Sequence, residues 1–152
     1  MKNKENEYED YVIDIAYRRK SNISKRVQLT SAQKVYDFVI NMYDGIMEHH
    51  ERMYALYLDN NLSLIAAHSL GDGTLTNMTL DTRFLLQGAI LSNAAAVMLV
   101  HNHPSGNVIP SKNDRNLEEK VKGILELVNI QLVDFIVIGN SIYYSFLESG
   151  DL

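Results

Sequence analysis

Two histidines one residue apart open the segment HNHPSGNVIPSKND, residues 101–114. Alternate residues of a strand face the same side, so His101 and His103 at the end of a strand would present both imidazoles to one point. Asp114 could join them from the first turn of a following helix, because the intervening loop is long enough to double back. Two imidazoles, one carboxylate and an open fourth position are typical of a catalytic zinc, whereas a structural zinc is usually closed by four protein ligands.

The same segment also has a purely structural interpretation. Ser111 followed three residues later by Asp114 is the pattern of a capping box, in which a serine precedes the helix and an acid in its first turn bonds back to the serine. Short motifs of this kind occur often by chance. Residue types and spacing alone therefore leave a metal site and a helix cap both open.

The composition limits the ligands and partners that are available. The chain has 152 residues, a length typical of one domain, and no cysteine, so any tightly held metal must use His, Asp or Glu. Its formal charge of −5 opposes a broad attraction to phosphate backbones, although the stretch YRRKSNISKR could form a local basic patch. Direct binding to nucleic acid is therefore not expected.

The N-terminal residues differ in character from the rest. Residues 1–10, MKNKENEYED, are so densely charged that we expect a disordered tail, and residues 11–28 are expected to form an N-terminal extension. The tail lacks the apolar core of a signal peptide, and no later run reaches transmembrane length. We therefore expect a cytoplasmic protein without a membrane partner, while its oligomeric state stays open.

Apolar periodicity and turn residues predict the elements around the histidine segment. A helix begins after Ser31 and ends near Asp44, a second covers about 81–92, and a third follows the loop. Between and after them the sequence predicts a hairpin of MYALYL and LSLIAAHSL, a buried strand AAAVMLV at 94–100, and two last strands joined at Gly139-Asn140. The predicted inward positions are Phe84, Leu85, Gly88 and Ala89 in the second helix, and Leu117, Val121, Ile124, Leu125 and Val128 in the third.

This order of elements predicts an α/β fold, a single-domain α/β/α sandwich on a mixed sheet. The strand at 94–100 would be central, and its carboxyl end would deliver His101 to the edge where the following loop begins.

The spacing in residues 101–114 resembles a known metalloprotease signature. The JAMM (MPN-plus, JAB) signature is His-x-His, seven residues, then Ser-x-x-Asp, with a glutamate on an earlier strand, and every spacing agrees here. The run HNHPSG is similar to the RadC-type JAB domain in particular, as are ERMYALYLDNNLSLIAAHSLGDGT and DFIVIGNSIYYSFLESG. The resemblance runs from about Leu29 to Gly150 and implies a RadC-like JAB/MPN domain over 29–152, with a cytidine-deaminase-like architecture.

Two positions depart from the pattern of the family. Phe135 stands where the family commonly has histidine after Asp134, and MTLD at 78–81 replaces the usual Pro-Arg before the middle helix. Neither change touches a ligand position. The chain also has no room for the helix-hairpin-helix region that precedes this domain in longer RadC proteins, so we expect a stand-alone form.

The resemblance also implies a role for each site residue. The two histidines and Asp114 would hold Zn²⁺, and the catalytic glutamate of the family corresponds to Glu51, with Glu48 as the local competitor. We prefer Glu51 because it directly begins a predicted strand, where a side chain can be held rigidly. Ser111 would donate a hydrogen bond to the oxyanion, cap the helix, or do both.

The function implied is zinc-dependent hydrolysis of an amide bond, peptide or isopeptide, in an unidentified peptide or protein, with Glu51 as the general base. A second hypothesis is a DNA-repair-associated or mobile-element accessory protein whose metal site is not used for peptide hydrolysis. A third is a metal-dependent hydrolase acting on another bond, which the same residues would serve. The presence of both Glu51 and Ser111 favours an enzyme, because an MPN domain that serves only as a scaffold has usually lost part of this set.

Overall fold

The computed structural model describes residues 25–73 and 80–152, and its elements follow the predicted order. Within these residues the α-helices are α1 (Ala32–Val39), α2 (Thr82–Leu91), α3 (Lys112–Glu126) and α4 (Phe146–Ser149), and a 3-10 helix (Ile40–Tyr43) continues α1. The strands are β1 (Arg52–Leu58), β2 (Leu64–Asp72), β3 (Ala96–Asn102), β4 (Gln131–Gly139) and β5 (Ile142–Ser145). The tail expected at 1–10, most of the extension at 11–28 and half of MTLD lie outside the described residues.

β3 is the middle strand of a mixed sheet with the order β2-β1-β3-β4-β5. β1 pairs antiparallel with β2 and with β3, whereas β3 pairs parallel with β4, and β5 returns antiparallel to β4. All residues of β3 are buried, as expected for a strand covered on both faces. The predicted central strand is confirmed, and it extends far enough to include His101.

Helices cover both faces of this sheet, each over its own apolar cluster. On one face α1 and the 3-10 helix pack against the even-numbered residues of β1 and β3; that cluster includes Val35, Val39, Tyr43, Leu56, Leu58, Met98 and Val100. On the other face α2 and α3 pack against the odd-numbered residues; that cluster includes Leu85, Ala89, Val121, Leu125, Met53, Ala55, Val97 and Leu99. The predicted α/β/α sandwich on a mixed sheet is thereby confirmed.

The helix ends agree with the predicted caps, but two predicted inward side chains are wrong. Ser31 caps α1, where its hydroxyl accepts from the amide of Lys34 at 3.3 Å. Phe84 is 52% exposed, because the buried side of α2 is formed by Leu85 and Ala89 and position 84 lies at the edge of that side. Val128 is exposed because α3 ends at Glu126, so the helical period no longer applies to it.

No helix within residues 25–73 and 80–152 has both the length and the apolar character that crossing a membrane requires.

Candidate metal centre

Three side chains from β3, the loop after it and the start of α3 converge on one point. The Nε2 atoms of His101 and His103 are 3.0 Å apart. Asp114 places Oδ1 3.1 Å from Nε2 of His101 and Oδ2 3.3 Å from Nε2 of His103. One ligand atom from each residue lies within 4.8 Å of the other two, and no second group of this kind occurs in the described part of the chain. These three residues could hold a metal ion.

The hydrogen bond of His103 fixes which ring nitrogen faces the cluster. Its Nδ1 lies 2.6 Å from the carbonyl oxygen of Asn107. A carbonyl only accepts, so Nδ1 carries a proton, and Nε2 is the nitrogen that faces the other two side chains and can offer a lone pair to a metal ion once it is deprotonated. Metal-bound histidines are commonly held in this way through their second nitrogen. The geometry therefore fits a metal ligand.

His101 is held by packing instead. Its ring is 1% exposed and stacks on Phe135, with centroids 5.2 Å apart and planes inclined by 27°. Its Nδ1 is buried and has no hydrogen-bond partner among the described residues. Phe135, the residue that departs from the family pattern, thus orients the first histidine with an apolar face. Two imidazole nitrogens and a carboxylate oxygen remain a donor set that suits zinc.

Asp114 serves the helix and the cluster at once. The backbone amide and the hydroxyl of Ser111 both donate to Oδ2 of Asp114 at 2.7 Å, and the amide of Asp114 donates to the hydroxyl of Ser111 at 3.1 Å. This is a complete capping box at the start of α3. The two interpretations that the sequence left open are therefore compatible, because the cap aims the same carboxylate at both histidines.

Hydrogen bonds within the cluster shift the pKa values of Asp114 and His103 in opposite directions. Burial raises the pKa of the Asp114 carboxyl, but hydrogen bonds from His101, His103 and Ser111 outweigh burial and hold that pKa well below its usual range. Burial lowers the pKa of His103, but its bonds to Asp114 and to the carbonyl of Asn107 reverse this and leave the pKa raised. The carboxylate is thus kept ionised, which is the form that a metal ion requires.

Glu51 lies beside the cluster without being part of it. The last paired residues of β1 and β3 are Met53 and His101, and Glu51 and His103 each lie two residues further on, in the same direction and on the same face. Glu51 is 8% exposed, and its pKa is raised by burial, an effect that the neighbouring imidazoles partly oppose. Its carboxylate is not among the three groups that meet within ligand distance.

Glu48, the alternative candidate, occupies a different place. It is exposed, and its Oε1 accepts from the side-chain amide of Asn140 at 3.2 Å. Together with Met47, His103, Pro104, Ser105, Gly106 and Asn140 it lines an open cleft of about 390 Å³. Glu48 therefore forms part of a cleft wall beside one histidine, whereas the buried Glu51 lies at the same end and on the same face of the sheet as the two histidines.

Two residues that support this site were not singled out from the sequence. Asn107 holds the ring of His103, and the buried Asn102, between the two histidines, holds the turn that precedes β1. A buried asparagine at the end of an apolar strand is itself unusual, because such a side chain needs several hydrogen-bond partners. That signal was available for Asn102, whereas nothing in the sequence distinguishes Asn107 from other loop asparagines.

Comparison with known proteins agrees with this geometry. The family model of the RadC-like JAB domain matches residues 29–151 of the sequence. UPF0758 protein YeeS of Escherichia coli is 38% identical over 124 residues, which is 82% of each chain. A UPF0758 protein of Pasteurella multocida is 37% identical over 132 residues, 86% of this chain and 59% of its own length. One of Thermotoga maritima is 35% identical over 125 residues, 82% of this chain and 55% of its own length. The chain thus spans little more than half of the latter two, and none of the three names states an activity.

Proposed function

Because the chain belongs to the RadC-like JAB domain family, we propose that it is a zinc-dependent metallohydrolase that cleaves an amide bond in a peptide or protein. The observation that supports this best is the meeting of His101, His103 and Asp114, with a buried glutamate beside them. Three protein ligands leave a fourth position for water, as in catalytic rather than structural zinc sites.

Each residue of the site has a part in the proposed reaction. When bound, Zn²⁺ supplies an activated water and a Lewis acid for the carbonyl. Glu51 accepts a proton as the water attacks and returns it to the departing amine nitrogen, a role for which a buried carboxyl with a raised pKa is suited. His101, His103 and Asp114 would hold the ion, and the stacking of Phe135 and the carbonyl of Asn107 keep the imidazoles oriented.

The cleft beside His103 is where we place the substrate. Its volume of about 390 Å³ lies within the range of ~300–1,000 Å³ that is usual for ligand sites. Its walls are mostly loop residues, and their backbone groups and polar side chains could bind an extended peptide. We therefore propose that one side of the scissile bond lies between Glu48 and the 103–106 loop.

We expect Ser111→Ala to reduce turnover as well as stability. Loss of the cap should cost about 1 kcal/mol of folding stability. If the Ser111 hydroxyl turns from Asp114 Oδ2 to the oxyanion during the reaction, loss of this donor should lower kcat about a hundredfold. The measurements are thermal denaturation and steady-state kinetics on one purified preparation.

Ser31→Ala is the matched control for that change. Ser31 caps α1 through the same bond, from its hydroxyl to the amide three residues on, but lies far along the chain from the cluster. The Ser31→Ala variant should lose about as much folding stability as Ser111→Ala and keep the turnover of the wild type. Equal kinetics for the two variants would show that Ser111 only caps the helix.

The proposed function is tested by metal analysis of the purified protein, followed by a screen of peptide and isopeptide libraries. We expect close to one zinc per chain and cleavage by the wild type that disappears in the Glu51→Gln variant. Cleavage by both proteins would reveal a contaminating protease. A metal-loaded protein that cleaves no amide in either library would overturn the proposal and favour an accessory role.

Removal of the metal should weaken the fold without unfolding it. Both apolar clusters close on the sheet independently of the three ligands, so the chain does not need the ion as a core. If zinc is present at about a hundred times its Kd, binding adds about 2.7 kcal/mol. Chelation should then lower the Tm by roughly 5–10 °C for a chain of this size. Circular dichroism with and without chelator measures this, and complete unfolding would indicate a structural site instead.

A further inference from the structure

Asn102 is the buried residue between the two histidines in the chain, and both hydrogens of its side-chain amide donate hydrogen bonds. Its Oδ1 accepts from the backbone amide of Arg52 at 2.7 Å. Its Nδ2 donates to the carbonyl oxygens of Met47 and His50, both at 2.9 Å. The side chain is fully buried, so loss of these bonds would leave buried backbone groups without partners.

These bonds hold the chain on both sides of one residue. His50 and Arg52 are the two neighbours of Glu51, and Asn102 binds the carbonyl of the first and the amide of the second. Regular pairing of β1 with β3 has ended at Met53 and His101. Beyond that point side chains, and not the strand ladder, join the two segments. Asn102 bonds the backbone on either side of Glu51, and the Tyr43 hydroxyl contacts the carbonyl oxygens of Arg52 and Val100. The backbone of Glu51 is therefore fixed to β3 at a position between the two histidines.

Asn102 lies on the other face of β3 from the cluster. Adjacent residues of a strand point to opposite sides, so the side chain that holds Glu51 reaches around the strand end while the histidines face Asp114. The side-chain oxygen and nitrogen of Asn102 are bonded to backbone groups of Met47, His50 and Arg52. Its influence on the site is thus through the backbone of Glu51 rather than through the metal.

We propose that Asn102 is the positioning residue that fixes the Glu51 carboxyl at the distance from the cluster that proton transfer needs. This rests on the proposed function of Glu51 as the general base. A displacement of about 1 Å in a catalytic group can cost about 10²-fold in rate. Substitution of Asn102 should therefore act on turnover more than on metal or substrate binding.

The test compares Asn102→Ala and Asn102→Asp with Glu51→Gln and with Asp59→Ala. Asn102→Asp keeps the shape and an acceptor for Arg52, but at least one of the two carbonyls loses its donor, and this variant serves if the alanine variant does not fold. Asp59 holds the turn at the far end of β1 by accepting from the amides of Asn61 and Ser63, so its loss destabilises the same strand away from the site.

Three readouts are measured on each full-length protein: zinc affinity by competition with a chromophoric chelator, the visible spectrum of the Co²⁺-loaded form, and kinetics on a cleaved peptide. We expect both Asn102 variants to keep zinc affinity within about threefold and to lower kcat by about 10²-fold with little change in KM. Their Co²⁺ spectra should shift in the same direction as that of Glu51→Gln, because groups around the ligands tune the metal. Asp59→Ala should match the wild type in all three.

The outcomes separate this inference from the proposed function. If no peptide is cleaved by the wild type, the proposed function fails, while the Co²⁺ spectra and zinc affinity still decide the role of Asn102. A wild-type spectrum for both Asn102 variants would overturn the inference. So would a loss of zinc affinity as large as that of a ligand variant, since Asn102 would then position the histidines rather than Glu51.

Discussion

Glu51→Gln should retain zinc and lose amide hydrolysis, by about 10³-fold or more. Glutamine has nearly the same shape as glutamate but cannot act as the proton acceptor. General acid–base groups typically contribute 10²–10⁴-fold to a rate. Because the Glu51 carboxyl lies outside the group of three possible ligands, its loss should leave the ion bound. The measurement is metal content by elemental analysis beside kcat on a cleaved peptide.

Glu48→Gln is the matched control, since it makes the same chemical change three residues earlier. Glu48 is exposed on the cleft wall and bonded to Asn140, so its substitution should alter KM more than kcat. Loss of zinc in Glu51→Gln would show that Glu51 is a ligand. A larger fall of kcat in Glu48→Gln would transfer the role of general base to Glu48.

The metal-ligand candidates could be predicted because their arrangement depends on local rules. His101 and His103 share a face by the period of a strand, and Asp114 is placed by a capping pattern that begins at Ser111. Only the path of the loop between His103 and Ser111, which brings Asp114 back to the histidines, is a tertiary feature. The buried strand before His101 was marked by a continuous apolar run, and the helix after Ser111 by the period of its apolar residues.

The place of Glu51 depends on the register between β1 and β3, which the sequence does not determine by itself. Pairing of Met53 with His101 brings Glu51 to the right end and the right face of the sheet, and a slip of one residue would turn it away. The preference for Glu51 over Glu48 rested on its place at the head of a strand. Its place at the same end and on the same face of the sheet as the two histidines agrees with that preference, whereas its catalytic role stays a prediction.

Other features could not be predicted because they depend on contacts between distant segments. The partners of Asn102 are about fifty residues away in the chain, so its role is invisible without the fold. Phe84 was expected inside because it shares a helix face with Leu85, Gly88 and Ala89, but the packing of α2 on the sheet decides which positions face inward. The Tyr57 side chain packs directly against Gly88 of α2. A Cβ at position 88 would overlap the tyrosine hydroxyl, so glycine makes room for the tyrosine there.

Asp114→Ala should strip the metal from the protein and abolish turnover with it. Asp114 contacts both imidazoles at 3.1 and 3.3 Å and is the only carboxylate of the cluster. Even residues behind the ligands typically change metal affinity 10–100-fold, so removal of a direct ligand should cost more than about 100-fold. Competition with a chromophoric chelator measures the affinity.

The same substitution removes half of a capping box, and that effect must be separated from the loss of the ligand. Glu148 provides the comparison, because it lies three residues after Ser145 as Asp114 does after Ser111, and its amide likewise donates to the serine hydroxyl. Glu148→Ala should change stability slightly and leave zinc affinity unchanged. In the absence of metal, Asp114→Ala should cost about 0.5–2 kcal/mol through the cap. Full zinc content in Asp114→Ala would contradict the assignment of the ligands, since two neighbouring imidazoles alone would then suffice to hold the ion.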